Sequence, residues 1–420
     1  MQSVDESYSI WHPFSQMKGT TELPKVVKAQ DVWLHTEDGK KIFDAISSWW
    51  VNLHGHSHPY IAQKVHEQML QLEHVIFAGF THDPAIELSK RLLNHLPQGE
   101  WKFFFSDNGS TAIEVALKMA IQYFRREDMT RKVKVIALDG SYHGDTFGAM
   151  AAAERSVFTD PWDDMFFEAI HIPAPTPGSE QACFDAIEAN ATDTTVFFYE
   201  PMVQGAGGMR MYSKEAMQEM LHRLKNKGAI LVADEVMTGF GRLGSWFASD
   251  QCEQKPDMIA LSKGLTGGAL PMSLTVCDQR FYDAFLHDEF AKGFLHGHSF
   301  TGNPIGCAAA LASLDLMEKE ETWQKIKAIE QCYRDHVEEL SSHPMIHNVR
   351  ITGTVLAFDI KESNQGYIHP LRDRLYKAFL EKGVLLRPLG NVVYLLPPYS
   401  TPIELIEDTI QKILETLNEL

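Results

Sequence analysis

Through the middle of the chain, short apolar runs alternate with stretches whose apolar positions recur every three or four residues. "VKVIALDG" (133–140), "TVFFYEP" (195–201), "AILVADEV" (229–236) and "MIALSKG" (258–264) are rich in apolar residues, several of them β-branched or aromatic. Each ends at a charged, polar or glycine-containing turn, the pattern of strands buried on both faces. Between them, "STAIEVALKMAIQYFRRE" (110–127) sets Ile113, Leu117, Ile121 and Phe124 at helical spacing, away from Glu114 and Lys118. That spacing predicts an amphipathic helix. Strand, helix and strand in repetition predict an α/β fold with a mostly parallel sheet covered by helices. From about Leu314 the pattern changes to long charged helices and then to the strands "TVLAFDI" and "VVYLLPP". A smaller α+β domain is expected there. The predicted division is an N-terminal segment (1–55) packing with the small domain and the active site, a large domain (56–313) and a small domain (314–420).

Composition narrows the function classes. The chain has 420 residues, 44% hydrophobic and 22% charged, too long for one simple core and ordinary for a globular protein. A formal net charge of −18 argues against nucleic-acid binding, which needs clustered Lys and Arg. No stretch approaches the ~20 apolar residues of a membrane span. The opening residues lack the basic and then apolar pattern of a secretory signal. The five cysteines are scattered without a CxxC pair, which favours neither a disulfide framework nor a thiolate zinc site. A cytoplasmic protein with small-molecule partners and no metal is expected.

In open parallel sheets chemistry collects beyond the carboxyl ends of the strands. The residues there are Tyr142, His143, Glu200, Gln204, Asp234, Glu235 and Lys263. Lys263 follows an apolar strand among small residues; apolar surroundings lower a lysine's pKa and make it a nucleophile able to form Schiff bases. Alone, it reads more readily as a solvated loop lysine. Asp234 closes an apolar run, where a carboxylate needs a cation or donors. A protonated pyridine nitrogen would serve, and so would a following turn that it caps. "SDNGSTAIE" puts Gly109 and Ser110 where the best-patterned helix opens, a place that suits phosphate or a plain N-cap. Tyr142, in "GSYHGDTFG" (140–148), is suited to lie against a flat ring, though taken alone it reads more readily as a ring half-buried at a loop.

Two further motifs are weaker. "GFGRLG" (239–244) fits GxGxxG, yet it neither follows a strand directly nor opens a helix, so NAD binding is not expected. "HGHSHP" (54–59) spaces its histidines too closely for a zinc site and reads as a polar loop.

Taken in order, "LVADEVMTGFGRLG", "PDMIALSKGLTGG", "EPMVQGAGGM" (200–209) and "HSFTGNPIGCAAA" (298–310) resemble the class III aminotransferases, pyridoxal phosphate (PLP) enzymes of fold type I. The blocks "IWHPFSQM" (10–17), "SSWWVNLHGHSHP", "YHGDTFGAM", "VQGAGGMRMY" and "LLRPLGNVVYLLPPY" are similar to the biotin-pathway members of that family. The resemblance implies that Lys263 carries PLP and moves protons, while Asp234 pairs with the pyridinium nitrogen. It implies phosphate binding by Gly109 and Ser110, with His298 and Ser299 contributed by the partner of a homodimer. Tyr142 and Val236 would flank the ring. Phe14, Trp49, Tyr142, Lys263, Gly297 and Arg387 would contact substrate, Arg387 through a two-pronged grip on its carboxylate. The implied reaction aminates 8-amino-7-oxononanoate with S-adenosylmethionine as donor. Members using that donor commonly have tyrosine where this chain has Phe14, and some members with phenylalanine use lysine. Lysine as donor, or another class III ω-aminotransferase activity, therefore stays open.

Overall fold

The computed structural model describes residues 2–3, 9–18, 22–361 and 370–420. Its apolar runs are strands with alternating allegiance. Ile136, Leu138, Phe197, Tyr199, Leu231 and Ala233 join one hydrophobic cluster. Their sequence neighbours Val135, Ala137, Val196, Phe198, Ile230 and Val232 join another. Successive side chains leave opposite faces of a strand, so a run apolar at every position is a strand covered on both sides. The covers are the helix Gly109–Arg125 on one face and the helix Lys214–Asn226 on the other.

Seven strands make this sheet, in the order Trp101–Ser106, Ser273–Asp278, Met258–Leu261, Ile230–Asp234, Thr195–Tyr199, Lys134–Leu138 and Ala169–Ile172. Ser273–Asp278 runs antiparallel to both its neighbours, and the other pairs are parallel. The register then fixes what can meet. Ala233 pairs with Tyr199 and Asp234 with Ala260, which brings Asp234, Glu200 and Lys263 to one rim of the sheet. The apolar-run pattern does not reveal the outer strands Trp101–Ser106 and Ala169–Ile172, whose positions are mostly half-buried.

A second region is built from both distant parts of the sequence. Ile346–Thr352, Val355–Ile360 and Val392–Leu395 form an antiparallel sheet. The helix Ile403–Asn418 turns Ile406, Ile410, Ile413 and Leu417 inward. Val384–Leu385 pairs with Lys41–Asp44 in a four-stranded sheet whose other strands are Trp33–Thr36 and Val26–Gln30. Helix Pro304–Met317 runs across residue 313 and is mostly buried. All five cysteines are buried and free. Among the described residues no helix is long and apolar enough to cross a membrane.

Candidate active site

At the rim of the large sheet a cavity of about 430 Å³ is lined by Gly109, Ser110, Tyr142, His143, Glu200, Asp234, Val236 and Lys263, with Trp50 as a wall. It meets a larger cavity, about 1060 Å³, that shares Trp50, Tyr142, Gly144 and Lys263 and also reaches Phe14 and Trp49. Most residues that the sequence singled out are thus gathered within two joined spaces.

Lys263 opens a short turn just beyond its strand, with φ +43°, a conformation that L-residues seldom adopt. Burial lowers its pKa from the ordinary lysine range, and the charges of Asp234 and Glu200 only partly oppose that. Its Nζ lies 5.0 Å from the centre of the Trp50 ring. Among the described residues it forms no salt bridge.

Asp234 is buried at the end of its strand. Its Oδ2 lies 2.8 Å from His143 Nδ1, and its Oδ1 accepts the Val236 N–H at 3.1 Å. The carboxylate is therefore fixed in orientation from both sides. Glu200 accepts the N–H groups of Tyr142 (3.2 Å) and Gly205 (2.8 Å). Burial pushes its pKa up to about 7. Glu235, next to Asp234, faces away and caps another loop, accepting from Thr238, Ala248 and Ser249. Its pKa is also pushed up to about 7 by burial.

Gly109 and Ser110 are the first residues of their helix, which Asn108 caps by a reciprocal pair of bonds with Thr111. Gly109 has no room for a side chain, since a Cβ there would stand 2.9 Å from Val236 Cγ1. At Gly144, φ +123°, a Cβ would collide with the Ser110 hydroxyl, which accepts the Asp145 N–H at 3.1 Å. The result is a narrow cradle at a helix N-terminus, the place where backbone N–H groups and the helix dipole favour an anion. Tyr142, whose Oη donates to Asp145 Oδ2 at 2.9 Å, forms a wall of both cavities.

The outer wall depends on an unusual backbone. Ser47, Ser48, Trp49 and Trp50 all have positive φ, from +45° to +73°. For L-residues each such position costs ~1–2 kcal/mol, so the turn needs support. Buried Asp44 supplies much of it, accepting Ser48 N–H (2.9 Å), Ser48 Oγ (2.7 Å) and His56 Nε2 (2.8 Å). Trp50 Nε1 donates to Tyr394 Oη at 3.1 Å. Trp49 meets Phe14 edge-on at 5.3 Å, and the Arg387 guanidinium lies 4.7 Å from the Trp49 ring centre. Phe14 also packs against Phe158 at 5.9 Å.

Gly297, His298 and Ser299 line neither cavity of this chain. Gly297 and Ser299 are exposed, and His298 Nδ1 sits 3.1 Å from Asp107 Oδ2. The "HGHSHP" histidines separate: buried His54 contacts Ser313 Oγ at 3.0 Å, and His56 turns to Asp44. Burial holds His54 down at about 3, so the stretch is less a polar loop than a packed one. "GFGRLG" is a set of turns with Arg242 fully buried and donating to the carbonyls of Trp50 (3.3 Å), Asn52 (2.9 Å) and Pro397 (3.1 Å).

Sequence reasoning gave no role to Trp50, Asp44, His56 or Arg242. His143 stood among the strand-end residues, but nothing in the sequence pairs it with Asp234 across 91 positions.

The sequence family described as Aminotransferase class-III matches residues 15–417. An adenosylmethionine-8-amino-7-oxononanoate aminotransferase of Synechococcus elongatus is 45% identical over 422 residues, covering 98% of this chain and 99% of that protein. One of the same description from Helicobacter pylori is 36% identical, covering 100% and 98%. Among solved structures, the adenosylmethionine-8-amino-7-oxononanoate aminotransferase of Methanocaldococcus jannaschii superposes with a TM-score of 0.93 at 31% identity, covering 98% and 97%. An amine transaminase from an uncultivated Pseudomonas species, solved PLP-bound, gives 0.88 at 25% identity, covering 97% and 98%.

Proposed function

Since the chain belongs to the class III aminotransferases, we propose that it transfers an amino group to 8-amino-7-oxononanoate, giving 7,8-diaminononanoate, with S-adenosylmethionine as donor. The observation that carries this reading is the joined pair of cavities. One gathers Lys263, the Asp234–His143 pair and a helix-start cradle; the other has the aromatic wall of Phe14 and Trp49. The relatives' shared description supplies the substrates.

The inner cavity fits PLP. Gly109 and Ser110 would hold its phosphate, the cradle at Gly109 and Gly144 having space for an anion but none for extra side chains. Tyr142 and Val236 would flank the ring, Asp234 would face the ring nitrogen, and Lys263 would hold it through Nζ. Bound there, PLP supplies an electron sink and carries nitrogen from donor to acceptor.

The chain's own groups do the rest. Lys263 Nζ, with its pKa lowered by burial, has a lone pair available nearer neutrality than a free lysine and can take up and return the substrate proton. His143 Nδ1–H and the Val236 N–H keep the Asp234 carboxylate from turning away. Trp50 covers Lys263 and limits water beside its nitrogen. Arg387, with no ion pair among the described residues, would receive a substrate carboxylate beside Trp49. In a homodimer Gly297, His298 and Ser299 would reach the partner's site; the acidic, cysteine-reduced chain suits the cytoplasm.

One observation favours a second donor. Phe14 presents an edge-on ring to Trp49 and has no hydroxyl to bond a nucleoside, so lysine is the alternative. PLP-loaded protein supplied with 8-amino-7-oxononanoate and either S-adenosylmethionine or lysine distinguishes them by the mass of the product. Product with S-adenosylmethionine alone supports the first reading, and product with lysine alone replaces the donor. No product with either sinks the substrate assignment.

A further inference from the structure

The histidine-rich stretch that chemistry did not absorb is tied to the strained turn of the outer wall. Asn52 Oδ1 accepts the Gly55 N–H at 2.8 Å, which turns Asn52 Nδ2 toward His56 Nδ1 at 3.3 Å. An acceptor at Nδ1 places the imidazole hydrogen on Nε2, which points at Asp44 Oδ2, 2.8 Å away. Asp44 passes the constraint on: Oδ2 also takes the Ser48 hydroxyl, and Oδ1 takes the N–H groups of Ser48 (2.9 Å) and Ile46 (3.3 Å). These bonds converge on Asp44, from Asn52 through His56 on one side and from Ser48 of the left-handed segment on the other. What that segment displays is Trp49 toward the larger cavity and Trp50 toward Lys263.

The two rings are held unequally. Trp50 is buried and tied to Tyr394, and its carbonyl is held by Arg242. Trp49 is only partly buried, and its ring neighbours are Phe14 and Arg387. If the turn loosens, Trp49 moves first.

We propose that Asp44 and His56 are positioning residues of the reaction: bonded to each other, they lock the Ser47–Trp50 turn and so set the Trp49 ring against the substrate. The inference rests on the transamination reading above for its substrate. Neither residue lines the cavities, so their effect passes through the tryptophan. Loss of the lock weakens substrate binding while Lys263 and Asp234 keep their places.

The test compares wild type with His56→Leu, His56→Gln and Ser48→Ala, PLP-loaded, in the product assay above. A glutamine can present its Nε2–H where the imidazole Nε2–H stood. His56→Leu is expected to raise the KM for 8-amino-7-oxononanoate about tenfold with kcat changed less than about threefold. His56→Gln restores most of the KM, and Ser48→Ala, which removes one bond at a partly exposed position, gives a smaller rise. Near-ultraviolet circular dichroism of the cofactor-free proteins reads the tryptophans directly: the signal of His56→Leu departs from wild type and that of His56→Gln returns to it. An unchanged KM and spectrum in a folded His56→Leu protein overturns the proposal. So does a fall in kcat and thermal midpoint that glutamine does not rescue, which marks a purely structural pair. Inactive wild-type protein overturns the substrate reading instead, and the dichroism then still decides whether the pair holds the turn.

Discussion

Gly109→Ala tests the cradle with a single methyl group. Position 109 opens its helix with an ordinary backbone, so alanine meets no conformational penalty there. Its Cβ would stand 2.9 Å from Val236 Cγ1 and 3.1 Å from Cγ2, whereas apolar carbons rest about 3.5–4.0 Å apart. Val236 must therefore yield by roughly 0.5–1 Å, taking with it the surface proposed to face the PLP ring. Overpacking of this size costs about 1–3 kcal/mol, or about 5- to 150-fold in affinity if it is felt at the ring. PLP titration of the apoprotein, followed by tryptophan quenching, measures it. The variant is expected to bind PLP at least about fivefold more weakly than wild type, with its thermal midpoint lowered by no more than a few degrees. Val236→Ala in the same chain removes both Cγ atoms and restores most of the binding. Equal affinity in wild type and Gly109→Ala would refute the cradle. Failure of the double variant to recover would show that the clash does not act through Val236.

Other outcomes follow from the same geometry. Asp234→Asn retains PLP yet slows turnover by at least about a hundredfold, as expected of a charge that acts on the reacting system; an unimpaired rate removes the ring-nitrogen assignment. Phe14→Tyr improves use of S-adenosylmethionine by about tenfold at most, the equivalent of ~1.4 kcal/mol, and an unchanged donor preference means residue 14 does not face the donor. Glu200 holds its proton more tightly folded, with a pKa of about 7, than unfolded, near 4.5. Its contribution to stability is thus full below about pH 4.5 and lost as pH rises through 7. Denaturant titrations of the apoprotein at pH 5 and pH 8 should show a smaller difference for Glu200→Gln than for wild type; equal differences contradict the buried, raised carboxyl.

The four neighbouring parallel strands inside the large sheet were legible because burial on both faces writes an apolar run, as in "AILVADEV", whereas the equally inner Ser273–Asp278, broken by Ser273 and Thr275, was not. The strand Trp101–Ser106, with Lys102 inside it, and the half-buried Ala169–Ile172 carry no such mark. Lys263, Asp234, Tyr142 and Gly109 could be read from their places at strand and helix ends. Partners brought together by folding could not: His143 finds Asp234, and Arg242 finds Asn52 across 190 positions. The left-handed course of "SSWW" was hidden for a different reason. Nothing in serine or tryptophan favours positive φ, so the conformation is imposed by Asp44 and the surrounding packing. Gly297, His298 and Ser299 line neither cavity of this chain, so the roles proposed for them came from the family resemblance and not from their spacing or burial.

The shared sheet of Lys41–Asp44 and Val384–Leu385 has a consequence for how the protein comes into being. Trp50 reaches its hydrogen-bond partner Tyr394 across 344 positions. At about 5–20 residues per second of synthesis, those two residues leave the ribosome about 20–70 s apart. The strands that carry Asp234 and Lys263 emerge well before Tyr394 and can pair while translation continues. The nascent chain thus completes the rim that carries Asp234 and Lys263 early and the wall of Trp49 and Trp50 almost last. For that interval the exposed tryptophans and the unpaired edge at Lys41–Asp44 are a liability that the rest of the chain must arrive to cover.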